Sequence, residues 1–179
     1  MRVISGQKRG KKLELLKGDK VRPTTDKVKE SVFNVIQFDV TGSNFLDLFA
    51  GSGQMGIEAL SRGATHATFV DESRVSVEVV KRNLVATDLL EKAEVMNMDS
   101  VNFLKKSDKV FDIAFLDPPY KSSLLNDTLF LVASAMSKSG IIICEHPIDE
   151  ILPEDFSNFC LSKVYKYGQI AISVYRGKG

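Results

Sequence analysis

The sequence predicts a doubly wound α/β fold with a mostly parallel, seven-stranded sheet. Short apolar runs alternate with amphipathic stretches through the middle of the chain, the pattern of βαβ units. A glycine-rich segment follows the first of those core runs directly. The chain has 179 residues, 44% hydrophobic and 26% charged, enough for one substantial core and a single domain.

Val3-Ile4 and Leu13-Leu15-Leu16 flank a turn region from Gly6 to Gly10, which predicts an N-terminal β-hairpin within an extension over residues 1–22. The core of the domain, over residues 23–179, follows. After Arg22-Pro23-Thr24-Thr25, a helix starting near Asp26 places Val28, Val32, Phe33, Val35 and Ile36 mostly three and four residues apart, until Thr41-Gly42 breaks it. Strands are then expected at residues 45–49, 67–70, 93–96, 110–116 and 141–144, with helices at 56–62, 73–87, 100–105 and 124–136 between them. The end of the chain changes character. Residues 159–167 and 169–175 are two β-rich runs around Gly168, which predicts an antiparallel hairpin at one edge.

Composition closes off several classes. With 12 Gly and 5 Pro there is no collagen-like or low-complexity bias, and the apolar content is too high for disorder. No run approaches 18 apolar residues, and the N-terminus is charged where a secretory leader needs an apolar stretch, so a cytoplasmic protein without membrane spans is expected. Cys144 and Cys160 lack CxxC spacing and the chain has only two histidines, which argues against a disulfide framework or a metal site. Net charge is only +1, yet residues 1–29 hold ten basic side chains against three acidic ones. An ordered basic hairpin on a mildly acidic body suggests a surface for a polyanion, because Lys and Arg beside phosphates release condensed counterions. Arg2, Lys8, Arg9, Lys11 and Lys12 are the candidate contacts; Arg22 and Thr24 leave helix capping and phosphate binding both open.

In open α/β sheets ligands bind beyond the carboxyl ends of the strands. Asp47, Asp71, Asp99 and Asp117 fall at those ends, spaced by 24, 28 and 18 residues, about one βα unit each. One such Asp is ordinarily a turn or cap residue; four beside a glycine loop point to a ligand. The loop, Ala50-Gly51-Ser52-Gly53-Gln54-Met55-Gly56, contains a literal G-x-G-x-x-G, and Asp71 lies 20 residues after Gly51 as a dinucleotide fingerprint requires. Electrostatics opposes that reading. A pyrophosphate on this loop would face Asp47, and two unit charges about 4 Å apart at an effective dielectric near 20 interact by about 4 kcal/mol. The sign favours a cation. S-adenosylmethionine carries a sulfonium, an ammonium, a ribose diol and an adenine amine without phosphate: Asp47 would face the ammonium, Ala50, Gly51, Ser52 and Gly53 would admit the methionine portion, Asp71 would take the ribose and Asp99 with Ser100 the adenine.

Asp117-Pro118-Pro119-Tyr120 follows the predicted fourth strand. Each proline holds the residue before it extended and lacks an N–H. An exocyclic base amine is a poor nucleophile because its lone pair is conjugated into the ring. The Asp117 side chain and the Pro118 carbonyl can each accept one N–H and turn the lone pair toward a methyl donor, while Tyr120 offers a ring on which a flipped base can lie.

Arg2-Val3-Ile4-Ser5-Gly6, Arg22-Pro23-Thr24, Lys29-Glu30-Ser31-Val32-Phe33-Asn34, Asp47-Leu48-Phe49-Ala50-Gly51-Ser52-Gly53, Glu58-Ala59-Leu60-Ser61-Arg62-Gly63-Ala64 and Asp117-Pro118-Pro119-Tyr120 occur in the order found in one bacterial family. From residue 2 to about residue 175 the chain resembles the 16S ribosomal RNA guanine-N2 methyltransferases of the RsmD type. The resemblance implies a Rossmann-like S-adenosylmethionine-dependent methyltransferase fold, methylation of a guanine N2 in 16S rRNA, and rRNA as partner in a 30S subunit or assembly intermediate. Three departures are visible: Ser5 where the family tends to have Gly, Gln54-Met55 in place of smaller residues, and Asp71 where Glu is frequent. Two rivals are a DNA adenine-N6 methyltransferase, for which no residues remain to build a target-recognition domain, and a non-catalytic RNA-binding module.

Overall fold

The computed structural model describes residues 1–16, 25–119 and 124–179. Arg22, Thr24 and Tyr120 lie outside them. Five strands form the parallel part of the sheet: β1 (Asn44–Asp47), β2 (His66–Asp71), β3 (Ala93–Asn97), β4 (Phe111–Leu116) and β5 (Met136–Pro147). Strands β6 (Asp155–Phe156), β7 (Phe159–Tyr167) and β8 (Ile170–Gly177) complete it in the order β3-β2-β1-β4-β5-β8-β7-β6, with β8, β7 and β6 antiparallel. The chain order reverses between β1 and β4, where open α/β sheets place their ligand crevice.

Alternation along the strands sorts the core into two layers. Phe45, Phe69, Ile113, Phe115, Ile141 and Ile143 pack beneath α1 (Asp26–Val35), α2 (Gln54–Ser61) and α3 (Arg74–Thr87). Leu46, Val70, Ala114, Leu116, Ile142 and Cys144 meet α4 (Ser100–Lys106) and α5 (Leu124–Ser134) on the other face. Helix α1 is capped by Thr25, whose Oγ1 accepts the Val28 N–H at 3.4 Å, so capping does not require Thr24.

Among the described residues the sheet has eight strands where seven were expected. The additional β6 is two residues long, too short to leave a period in the sequence, and turns back through Ser157 at φ 49° to pair Phe156 with Phe159. Phe156 is buried edge-on against Tyr175, with centroids 4.8 Å apart. The expected helix over 124–136 stops at Ser134; Met136 already pairs with Phe111, and β5 begins there because the apolar run is shared between helix and strand. The N-terminal hairpin is reduced to one antiparallel bridge, Arg2 to Lys12. Val3 and Leu13 fix it from inside, both buried in the α1–α3 layer.

Candidate active site

The carboxyl edge of the sheet gathers four acidic side chains. Asp47 ends β1 and Asp71 ends β2; Asp117 directly follows β4, and Glu145 lies near the end of β5. Asp47 shares the parity of Phe45, Asp71 that of Phe69 and Glu145 that of Ile143, so these three face the α1–α3 layer. Glu145 was missed in the sequence because β5 was expected to stop at residue 144; pairing with β8 carries it on to Pro147.

Asp47 is buried, and its Oδ2 accepts the Gly56 N–H at 3.0 Å in the first turn of α2. Burial, followed at a distance by the charge of Asp71, raises the Asp47 carboxyl to about 7 against the lowering effect of that hydrogen bond. The glycine loop over Asp47 begins with Ala50, whose N–H donates to Val70 O at 3.0 Å, and Gly53 reaches back to Ala50 O at 2.7 Å. Gly53 caps α2 at φ 76°, a left-handed conformation open to glycine. Ala50, Ser52 and Gln54 are buried around it, and the Gln54 Oε1 has no hydrogen-bond partner among the described residues. A buried acceptor without a donor is costly, by about 1–3 kcal/mol, and suits a site completed by a ligand N–H.

Asp71 accepts the Gly51 N–H at 2.8 Å on Oδ2 and the Ser73 N–H at 2.8 Å on Oδ1. The short side chain is thus folded back onto the loop. Asp99 caps α4, accepting from the Asn102 N–H at 2.9 Å and Asn102 Nδ2 at 2.6 Å, and these bonds hold its carboxyl below the usual range. Ser100 is buried as the first residue of that helix. Asp117 is half-buried and Pro118 buried, while Pro119 is exposed. Desolvation first, then Glu145 and Asp47, push the Asp117 carboxyl well above the ordinary carboxylate range. The fourth residue of that motif, Tyr120, belongs to the part not described.

The basic hairpin is held by α2. The buried Glu58 carboxylate accepts the Ile4 N–H at 2.8 Å, the Ser5 N–H at 2.9 Å and Arg62 Nε at 2.8 Å. Lys29, also buried, lies 3.9 Å from Glu58 and donates to Arg2 O at 2.7 Å. Ser61 Oγ donates to Ser5 O at 2.6 Å and accepts the Lys8 N–H at 2.9 Å. Gly6 passes so close to Ser61 O that a β-carbon would sit 1.9 Å from it. This grip explains the 29–34 and 58–64 motifs, whose charges look like ordinary surface in the sequence. Arg9, Lys11, Lys12 and Arg2 are exposed, whereas Lys8 pairs with Asp88 at 3.2 Å.

His146 and three tyrosines of the terminal strands make contacts within the fold. His146 is buried; its Nδ1 donates to Pro147 O at 2.9 Å and its Nε2 hydrogen-bonds Ser173 Oγ at 2.8 Å. Tyr175 donates to Pro153 O at 2.8 Å, Tyr167 bonds Ser31, and Tyr165 packs on the core beside Lys163.

Residues 1–176 match the family described as conserved hypothetical protein 95. The chain is 41% identical over 184 residues to "Putative rRNA methyltransferase YlbH" of Bacillus subtilis, covering all of both chains. It is 35% identical to ribosomal RNA small subunit methyltransferase D of Escherichia coli, over 98% of this chain and 89% of that one. A solved structure described as "Putative methyltransferase yhhF from Escherichia coli" superposes with a TM-score of 0.88 at 34% identity, over 99% of this chain and 97% of that chain.

Proposed function

The chain belongs to the family described as conserved hypothetical protein 95, together with the ribosomal RNA small subunit methyltransferase D proteins, and from that membership we propose that it methylates the exocyclic N2 amine of one guanine in 16S rRNA. The observation that carries the reading is the proline-locked Asp117 corner, set at the reversal of strand order beside the Asp47 loop. Ala50, Gly51, Ser52, Gly53 and Asp47 hold the methionine portion of S-adenosylmethionine, Asp71 the ribose, and Asp99 with Ser100 the adenine. Two observations support this fit: Asp47 is a buried carboxyl group beneath the loop, and Gln54 Oε1 is a buried acceptor in want of a donor. Both favour an ammonium and disfavour a phosphate.

When bound, S-adenosylmethionine supplies a methyl group activated by its sulfonium. Asp117 and the Pro118 carbonyl accept the two amine hydrogens and aim the nitrogen lone pair at the methyl carbon; the N–C bond would form as the sulfonium S–C bond breaks, its electron pair returning to sulfur to leave S-adenosylhomocysteine, and the proton released from nitrogen would pass to the Asp117 carboxylate. Tyr120 stacks the base, and Arg2, Lys8, Arg9, Lys11, Lys12, Arg22 and Thr24 contact rRNA carried in the 30S subunit or an assembly intermediate. Tritium transfer from labelled S-adenosylmethionine, followed by nucleoside analysis, tests the assignment: label on guanine N2 of 16S rRNA is expected. Label on DNA adenine, or binding without turnover, overturns it.

Asp47 adds a pH signature. With its carboxyl near 7, the folded chain holds a proton that the unfolded chain has released, so Asp47's contribution to stability falls as pH rises from about 4 to about 7. A cation placed beside it lowers that value, so binding S-adenosylhomocysteine, which keeps the ammonium, expels most of one proton at pH 6 and almost none at pH 9. Calorimetry in buffers of different ionisation enthalpy reads this directly. A binding heat at pH 6 that ignores the buffer, or one unchanged in Asp47→Asn, removes Asp47 from the cofactor site.

A further inference from the structure

The N-terminal segment does more than present a hairpin. After Leu13 it runs along α3 toward the glycine loop. There the buried Asn83 carboxamide closes a three-way junction: Oδ1 accepts the Glu14 N–H at 2.8 Å, and Nδ2 donates to Glu14 O at 3.0 Å and to Ser52 O at 2.9 Å. Arg82, the preceding residue, grips the Glu14 carboxylate in two-pronged fashion at 2.9 and 2.8 Å. Two residues on, the Leu16 side chain lies 3.9 Å from the point where a Gly51 β-carbon would stand. Lys8, paired with Asp88 at the end of the same helix, ties the hairpin turn to α3 as well.

One amide therefore holds the backbone of the segment that leads out of the hairpin and the backbone of the loop that receives the methionine portion of the donor. A carboxamide offers an acceptor and two donors in one plane, the set these three bonds require and one that Asp and Leu cannot supply. If residues 14–16 shift, the Asn83 carboxamide loses the two Glu14 bonds that fix its plane toward Ser52 O, and Leu16 withdraws from Gly51.

We propose that Asn83 is a positioning residue that couples the two substrates, so that RNA settled on the hairpin and S-adenosylmethionine settled in the loop each tighten the binding of the other. The inference rests on the reading of the hairpin as the RNA grip and of the loop as the cofactor site. Coupling between two ligands is reciprocal: the factor by which one strengthens the other is the same in both directions.

The test uses the full chain, a hairpin-loop RNA oligonucleotide from 16S rRNA and S-adenosylhomocysteine. RNA affinity is titrated with and without saturating S-adenosylhomocysteine, and the reverse titration is made with RNA. Each ligand is expected to tighten the other by about fivefold or more, by the same factor in both directions. In Asn83→Ser the factor falls to near one while each ligand alone still binds within a few-fold. Arg82→Ala, which removes only the exposed arm of the clasp, lowers the factor part of the way and serves if Asn83→Ser does not fold. A factor of one in the unaltered chain, or an undiminished factor in both variants, overturns the coupling. The underlying reading fails separately: replacing Arg9, Lys11 and Lys12 with Ala then leaves RNA affinity and its salt dependence untouched.

Discussion

Asp117→Ala is expected to lower methyl transfer by at least about a hundredfold, the low end of what a positioned proton acceptor contributes, while S-adenosylhomocysteine affinity stays within a few-fold. Asp117 stands on the base side of the proposed site, beyond β4, whereas the loop and Asp47 form the cofactor side. Truncation therefore removes the amine's acceptor and leaves the donor's seat. Asp117→Asn separates two roles of the carboxylate, because the carboxamide oxygen still accepts a hydrogen bond but cannot take the released proton. The pH profile carries a further sign. In the proposed role as proton acceptor Asp117 acts as the ionised carboxylate, and burial, Glu145 and Asp47 all hold its proton to higher pH than an ordinary carboxyl would. The rate should rise with pH through that raised value, and Glu145→Gln, by deleting one neighbouring negative charge, should move the limb to lower pH. Single-turnover transfer measured across pH decides the matter: an Asp117→Ala enzyme that keeps its rate has its nucleophile positioned elsewhere.

Glu58→Ala should be the most damaging single change to stability. It strips the Ile4 and Ser5 N–H groups of their acceptor and leaves the Lys29 ammonium, with no exposed surface, beside Arg2 O and, among the described acidic residues, the Asp26 carboxylate at 4.0 Å. Breaking a buried ion pair on one side costs about 3–5 kcal/mol, which for a chain of this size is about a 10 °C fall in melting temperature. Burial already lowers the Lys29 proton affinity against the pull of Glu58 and Asp26; without Glu58 it falls further, and the amine discharges more readily. Combining Glu58→Leu with Lys29→Met should recover much of the melting temperature but not the hairpin's attachment. Amide exchange at Ile4 and Ser5 distinguishes the two effects. Protection at those amides that survives Glu58→Ala shows that something other than α2 holds the hairpin.

The parallel core was legible because its periodicity is local: Phe45 and Leu46, or Phe115 and Leu116, alternate between layers, and each Asp closes a strand. Asp47, Asp71 and Asp117 could be read from that rule, and the glycine loop from its spelling. The remainder depends on contacts between distant segments. Lys29, Glu58 and Asn83 sit on helices whose polar residues look solvated until the hairpin covers them. Glu145 and His146 look like loop residues before Pro147 until β8 pairs with them and lengthens β5. Met136 illustrates the limit from the other side, since an apolar residue satisfies helix and strand equally well and only its pairing with Phe111 decides.

The hairpin is held by α2 as well as by its own cross-strand bonds, from the Val3 N–H to Lys11 O, the Gly10 N–H to Val3 O and the Leu13 N–H to Met1 O. Its gripping points are main-chain groups of residues 4, 5, 7 and 8, which every amino acid except proline provides alike. Residues 9, 11 and 12 can accordingly be rewritten without disturbing the body that carries them, while Gly10, at φ 85°, keeps the turn. On the proposed role of the hairpin as the rRNA contact, evolution or a protein engineer has here an interchangeable reading head: new target preferences can be tried at the tip while the transfer chemistry behind it stays as it is.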